Sequence, residues 1–113
     1  MKLATFLKVA VAASALAAGS AYAATDVAKV KEVLTANACL ACHAMDKKVV
    51  GPSYMDIGAK YKGKEGDAAT LAANIRNGVS GIWGPIPMPA NKNISDTDLK
   101  LIVDWIVAGA PAQ

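Results

Sequence analysis

The chain has 113 residues, 54% of them hydrophobic, with 12 basic residues against 9 acidic and one histidine. Much of the apolar content and two of the lysines fall in the first 23 residues; beyond them ten basic residues face nine acidic, a net charge of +1. That balance lacks the strongly basic face of a nucleic-acid binder, and 90 residues with two cysteines make one small domain.

In chain order, the basic opening Met1 to Lys8 leads into the apolar run Val9 to Ala18, which Gly19-Ser20 breaks. Ala21-Tyr22-Ala23 places small residues at −3 and −1 of a cleavage point. Residues 1–23 therefore read as a secretory signal peptide removed after Ala23. The competing reading is a membrane anchor, but the apolar run falls short of the roughly 20 residues that span a bilayer. The remaining segment, 24–113, is expected to carry no stable anchor.

Helical periodicity recurs three times in that segment. Val27, Val30 and Leu34 share a face of a first helix ending near Asn37. Ala68, Leu71, Ala72 and Ile75 mark a middle helix opened by Gly66 or Asp67 and stopped at Asn77-Gly78. Ser95-Asp96-Thr97-Asp98 caps a last helix carrying Leu99, Ile102, Val103 and Ile106, with Gly109 and Pro111 ending it. Between the helices lie loops at 47–52 and 78–89, the second rich in glycine and proline. No strand alternation and no internal repeat stand out, so the expected fold is all-α. Three short helices with Tyr54, Tyr61, Trp83 and Trp105 as their aromatic residues enclose a poor core, and a bound group is expected to fill the centre.

The run Ala38-Cys39-Leu40-Ala41-Cys42-His43 holds both cysteines and the histidine. C-x-x-C-H is the spacing of a covalent c-type haem site, with the cysteines as thioethers and the histidine delivered beneath the iron. A thioredoxin-like redox pair usually accompanies a βαβ pattern, which is missing. A structural zinc site wants four ligands where three exist. A disulfide between such near neighbours closes too small a loop to stabilise much.

With no second histidine, a methionine is the candidate for the other axial position. Met45 lies two residues after His43, and Met55 just past Gly51-Pro52, each with too little chain to reach the opposite side. Met88 is 45 residues from His43, between Pro85, Pro87 and Pro89, whose fixed φ stiffens the loop.

On "CLACH", "KKVVGPSYMDIGAKY", "GIWGPIPMP" and the terminal "DWI", residues 25–108 resemble the bacterial class I cytochromes c, in particular the small c-551/c-552 group, also called c8. The resemblance implies short helices and loops wrapped around one covalently bound haem c, with His43 and Met88 as axial ligands. It implies that Pro52 accepts a hydrogen bond from His43 Nδ1 through its carbonyl, that Trp83 donates its indole N–H to a haem propionate, and that Asn91 touches the Met88 sulfur or its loop. The group often has proline where Ala90 stands, phenylalanine where Leu34 stands, and sometimes arginine where Asn74 stands; Arg76 is the neighbouring alternative for the propionates.

A monomeric periplasmic electron carrier follows from the resemblance, rather than an enzyme. Its implied donor is a bc1-type membrane complex, and its implied acceptors are an oxidase, a nitrite reductase or a cytochrome c peroxidase. The lysines at 47, 48, 60, 62, 64 and 92 read as a solvated surface or as a docking rim for acidic partners. Two other classes stay open: a thiol-disulfide oxidoreductase using Cys39 and Cys42, and a haem enzyme or gas sensor from which Met88 departs.

Overall fold

The computed structural model describes residues 26–113, and the expected signal peptide, residues 1–23, lies outside them. Four α-helices form the shell: α1 (Val27–Ala36), α2 (Tyr54–Tyr61), α3 (Ala68–Asn77) and α4 (Asp96–Val107). Single 3-10 turns at Cys39–Ala41 and Glu65–Asp67 join them. Among the described residues there is no strand, only two isolated antiparallel bridges, His43 with Lys48 and Val79 with Met88. No helix there is long and apolar enough to cross a membrane.

Helix α4 is the axis on which the other three pack. Ser95 Oγ accepts from Asp98 N at 3.1 Å, and Asp96 and Asp98 place negative charge at the positive end of the helix dipole. Its buried residues, Leu99, Ile102, Val103, Trp105, Ile106 and Val107, extend around more than one face, as a helix flanked by three neighbours requires. Helix α1 contributes Val30, Val33 and Leu34 to the core and α3 contributes Leu71 and Ile75. Both begin and end within a residue or two of their expected limits. Asp67 stands at the N-cap of α3 but makes no capping bond with its side chain, because a 3-10 turn already leads into the helix.

Helix α2 was not among the expected helices, although its signals are present. Ser53 Oγ accepts from Asp56 N at 3.0 Å, and the buried residues Tyr54, Ile57, Gly58 and Tyr61 follow helical spacing. Eight residues with a central glycine make a weak helix in isolation, since helices this short are marginal in water without tertiary support. Packing supplies that support. A Cβ on Gly58 would run into the backbone of Gly109 and come within 2.7 Å of Ala110 Cβ.

The C-terminal turn that meets Gly58 is itself anchored. Gly109 (φ 100°) and Ala110 (φ 48°) reverse the chain after α4. Ala110 N then donates to Trp105 O at 2.9 Å, and the fully buried Trp105 donates from Nε1 to Pro111 O at 2.9 Å.

Gly58→Ala tests the contact through its sign. In an unobstructed helix alanine would be stabilising by roughly 0.5–1 kcal/mol. Overpacking against backbone that cannot swing aside costs about 1–3 kcal/mol, so the variant is expected to be less stable in chemical denaturation. An unfolding midpoint above that of the wild type would disprove the close packing.

Candidate functional site

The end of α1 delivers the cysteines. Asn37 closes the helix with its backbone N–H and its side-chain amide both on Val33 O, at 3.1 and 2.8 Å. Ala38 then adopts a left-handed conformation (φ 58°) that turns the chain into the 3-10 turn of Cys39. His43 N donates to Cys39 O at 3.0 Å, so the histidine follows the first cysteine by one compact turn. Loop 44–50 returns to the same point, with Gly51 N donating to Cys42 O at 2.8 Å.

His43 is 8% exposed, and its Nδ1 lies 2.7 Å from Pro52 O. With Nδ1 donating to that carbonyl, Nε2 is the ring nitrogen left to bind a metal. Gly51 lies flat against the imidazole, where a Cβ would come within 2.6 Å of Cε1 and 3.0 Å of Nδ1. On another side stands Tyr54, its ring centroid 5.2 Å from that of His43, and Trp105 follows at 5.1 Å from Tyr54.

The opposite wall is the proline loop. Val79 and Met88 exchange backbone hydrogen bonds of 3.1 and 2.7 Å, which close residues 79–88 into a loop with the methionine at its base. Gly78 (φ 83°) occupies a conformation that favours glycine, and a Cβ there would also approach Met88 O to 2.8 Å. Asn91 N donates to Ile75 O at 2.9 Å, and Asn91 Nδ2 reaches Asn37 O at 3.2 Å. The methionine loop is thus tied to α3 and to the residue that precedes the cysteine turn.

Between the walls lies a mainly apolar cleft. Its cavity of about 290 Å³ is lined by Cys39, Cys42, His43 and Met88 together with Ile57, Leu71, Ile75, Ile102 and Ile106. A second cavity, also of about 290 Å³, shares Cys39, Cys42, His43 and Met88 with the first and extends to Asn37 and Asn91. Of the methionines in the described residues, Met88 lines both cavities; Met55 is 60% exposed, and Met45 packs against the core.

Each remaining candidate residue has a definite place. Trp83 lines the cleft, is 42% exposed, and has the Lys60 ammonium 5.2 Å from its ring centroid. Asn74 lines the same cleft. Arg76 turns away, donating to Asp96 Oδ1 at 2.7 Å and to Ile94 O at 3.0 Å. It serves as a brace at the start of α4 and leaves the cleft without its cation. Val79 and Gly51 escaped the sequence reading, because neither residue type reveals a partner distant in the chain or folded onto it.

Cys39 and Cys42 are not joined in a disulfide. Burial pushes the Cys39 thiol up, with the neighbouring Tyr54 hydroxyl pulling partly the other way. Burial likewise raises the Tyr54 hydroxyl, followed by the influence of Cys39. A thiol–disulfide nucleophile wants a lowered pKa, and that of Cys39 is raised.

A family model described as "Cytochrome C oxidase, cbb3-type, subunit III" matches residues 25–106. Cytochrome c-552 of Nitrosomonas europaea is 49% identical over 96 residues, covering 85% of this chain and 87% of that protein. Cytochrome c-551 of Pseudomonas aeruginosa is 46% identical over 96 residues, covering 84% and 91%. The crystal structure of the Nitrosomonas europaea protein superposes with a TM-score of 0.65 at 48% identity, covering 70% of this chain and 98% of that one. The class 1 cytochrome MtoD of Sideroxydans lithotrophicus gives a TM-score of 0.61 at 30% identity, covering 76% and 98%.

The helical shell is accordingly the fold of a class I c-type cytochrome. The chain belongs to the cytochrome c family, alongside the small cytochromes c-551 and c-552. Such proteins are electron carriers rather than enzymes, and the cofactor is covalently attached haem c. The cleft fits that group: its walls are apolar, both thiols of the C-x-x-C-H run open onto it, and its nitrogen and sulfur donors line the same space.

Gly51→Ala is expected to displace the His43 ring and lengthen the bond to Pro52, with a stability loss of about 1–3 kcal/mol from overpacking. The His43 Nδ1–H resonance, expected to exchange slowly in the wild type and faster in the variant, reports the bond directly. An unchanged resonance in the variant would show that the ring does not depend on Gly51.

Proposed function

We propose that the chain is a periplasmic one-electron carrier in which Cys39 and Cys42 hold the haem as thioethers while His43 and Met88 take the axial positions. The observation that carries this reading is that His43, oriented by Pro52, and Met88, held by Val79, line one cleft together with both cysteines. Haem supplies a one-electron ferric/ferrous couple when bound. His43 and Met88 would both be engaged in holding the iron, which would leave it no ligand position for substrate or oxygen. The soft Met88 thioether would favour ferrous iron and so raise the potential. The proline loop and the Val79 bridge hold Met88 in place, so little rearrangement accompanies each transfer.

Residues 1–23 serve in this reading as the export signal, cleaved after Ala23, and residues 24–113 as the monomeric haem domain. The donor is a bc1-type membrane complex and the acceptor an oxidase, a nitrite reductase or a cytochrome c peroxidase. Exposed apolar residues, Leu40, Val49, Val50, Ile82 and Ile86 among them, offer contact surface in the turns and loops that frame the cleft. Lys47 and Lys48 add positive charge beside the Val49-Val50 pair. Redox encounters of this kind are small and short-lived.

A pyridine haemochrome assay on the periplasmic fraction tests the attachment, since two thioethers give a c-type spectrum and a thiol oxidoreductase gives none. Met88→Ala is expected to abolish the far-red sulfur-to-iron charge-transfer band and to allow ready carbon monoxide binding; a persistent band would remove Met88 as ligand. Replacing Lys47 and Lys48 by glutamine is expected to slow electron transfer to an acidic partner severalfold at low salt and little at high salt. Equal slowing at both ionic strengths would exclude the lysine rim.

A further inference from the structure

Near the edge of the cleft stands a group of donors that the axial ligands do not use. Lys60, in the last turn of α2, holds its ammonium 5.2 Å from the Trp83 ring centroid and 5.8 Å from that of Tyr61. Both rings line the cleft. Among the described residues no carboxylate pairs with Lys60, and neither Trp83 Nε1 nor the Tyr61 hydroxyl has a hydrogen-bond partner, whereas the other tryptophan donates to Pro111 O.

The neighbouring cations are engaged elsewhere. Arg76 is bound to Asp96 and Ile94 O, and Lys92 donates to Asn77 Oδ1 at 3.0 Å. The Lys62 stem runs along Gly109. Lys48 also lines the cleft, but its backbone is bridged to His43 on the wall that bears the cysteines. Asp56, one turn before Lys60 on α2, opens onto the cleft without forming an ion pair with it.

An ammonium and an indole N–H without an acceptor between them match an anionic oxygen ligand, whereas the Tyr61 phenol feels the Asp67 carboxylate and serves as a face for the ammonium. Haem brings two carboxylates to an otherwise apolar cleft. Resting on the haem reading, we propose that Lys60, seated on Trp83 and Tyr61, is the counter-charge of a haem propionate and a positioning residue for the reduction potential. The aromatic faces restrain a side chain that would otherwise sample many rotamers, and attract its charge through the ring quadrupole. A cation held there disfavours the extra positive charge of ferric iron and so raises the potential. Lys60 thereby takes the electrostatic role for which Arg76, turned towards α4, is not available.

The test is the midpoint potential of the holoprotein, measured by spectroelectrochemistry at low ionic strength. Lys60→Gln is expected to lower the potential, Lys60→Arg to retain it, and added salt to shrink the difference. In a Trp83→Leu background the drop caused by Lys60→Gln is expected to be smaller, because the ammonium is no longer held. An unchanged potential in Lys60→Gln, or a drop of equal size with and without Trp83, would overturn the proposal. The pyridine haemochrome separates the two levels: no haem signal sinks the haem reading and this proposal with it, whereas a normal signal with an unmoved potential sinks the Lys60 assignment alone.

Discussion

The 2.7 Å contact between His43 Nδ1 and the Pro52 carbonyl organises one half of the molecule. A chain with one histidine has no substitute donor, so the orientation of this ring decides what the cleft can bind. Gly51 permits the loop to lie against the imidazole, Tyr54 packs beside it, and Trp105 supports Tyr54 from the core. Trp105 is in turn tied to Pro111 O, so the C-terminal turn stabilises a ring some sixty residues earlier in the chain. Helix α2 is the link in this series, because it carries Tyr54 at its start and meets the C-terminal turn at Gly58.

The opposite half depends on a different device. Stiffness from Pro85, Pro87 and Pro89 does not by itself aim a side chain; the paired Val79 and Met88 backbones do that, with Gly78 allowing the two arms of the loop to approach. The two halves are joined by Asn91, which bonds to Ile75 and to Asn37, two residues before Cys39. The span between histidine and methionine is therefore held by hydrogen bonds as well as by packing. For an electron carrier this has a direct use, since a site that moves little between oxidation states has a small reorganisation cost.

Charge is kept out of the interior and placed at the edges. The cleft walls are mainly aliphatic, burial raises the Cys39 thiol and the Tyr54 hydroxyl alike, and the cations near the opening belong to lysines on the surface. Arg76 shows how the fold assigns such groups. Its guanidinium makes several bonds at once at the start of α4, including a 2.7 Å pair with Asp96, and this geometry suits arginine better than a single contact at the cleft would.

The sequence by itself determined whatever is local. Helix α1, α3 and α4 are written in apolar spacing and caps within ten or twelve residues, and the cofactor class in six consecutive residues from Ala38 to His43. Elimination among three methionines pointed to Met88. Only the tertiary structure decided that Met88 and His43 face one cleft, that α2 is a helix despite Gly58, that Arg76 is directed to Asp96, and that Lys60 rests on Trp83. The physical reason is common to all four: each depends on a contact between segments distant in the chain, of which spacing says nothing for three, while for α2 the local cap and apolar spacing are too short to decide without packing. At Gly58 the local preference even opposes the outcome, and the space left by the Gly109 backbone overrides it.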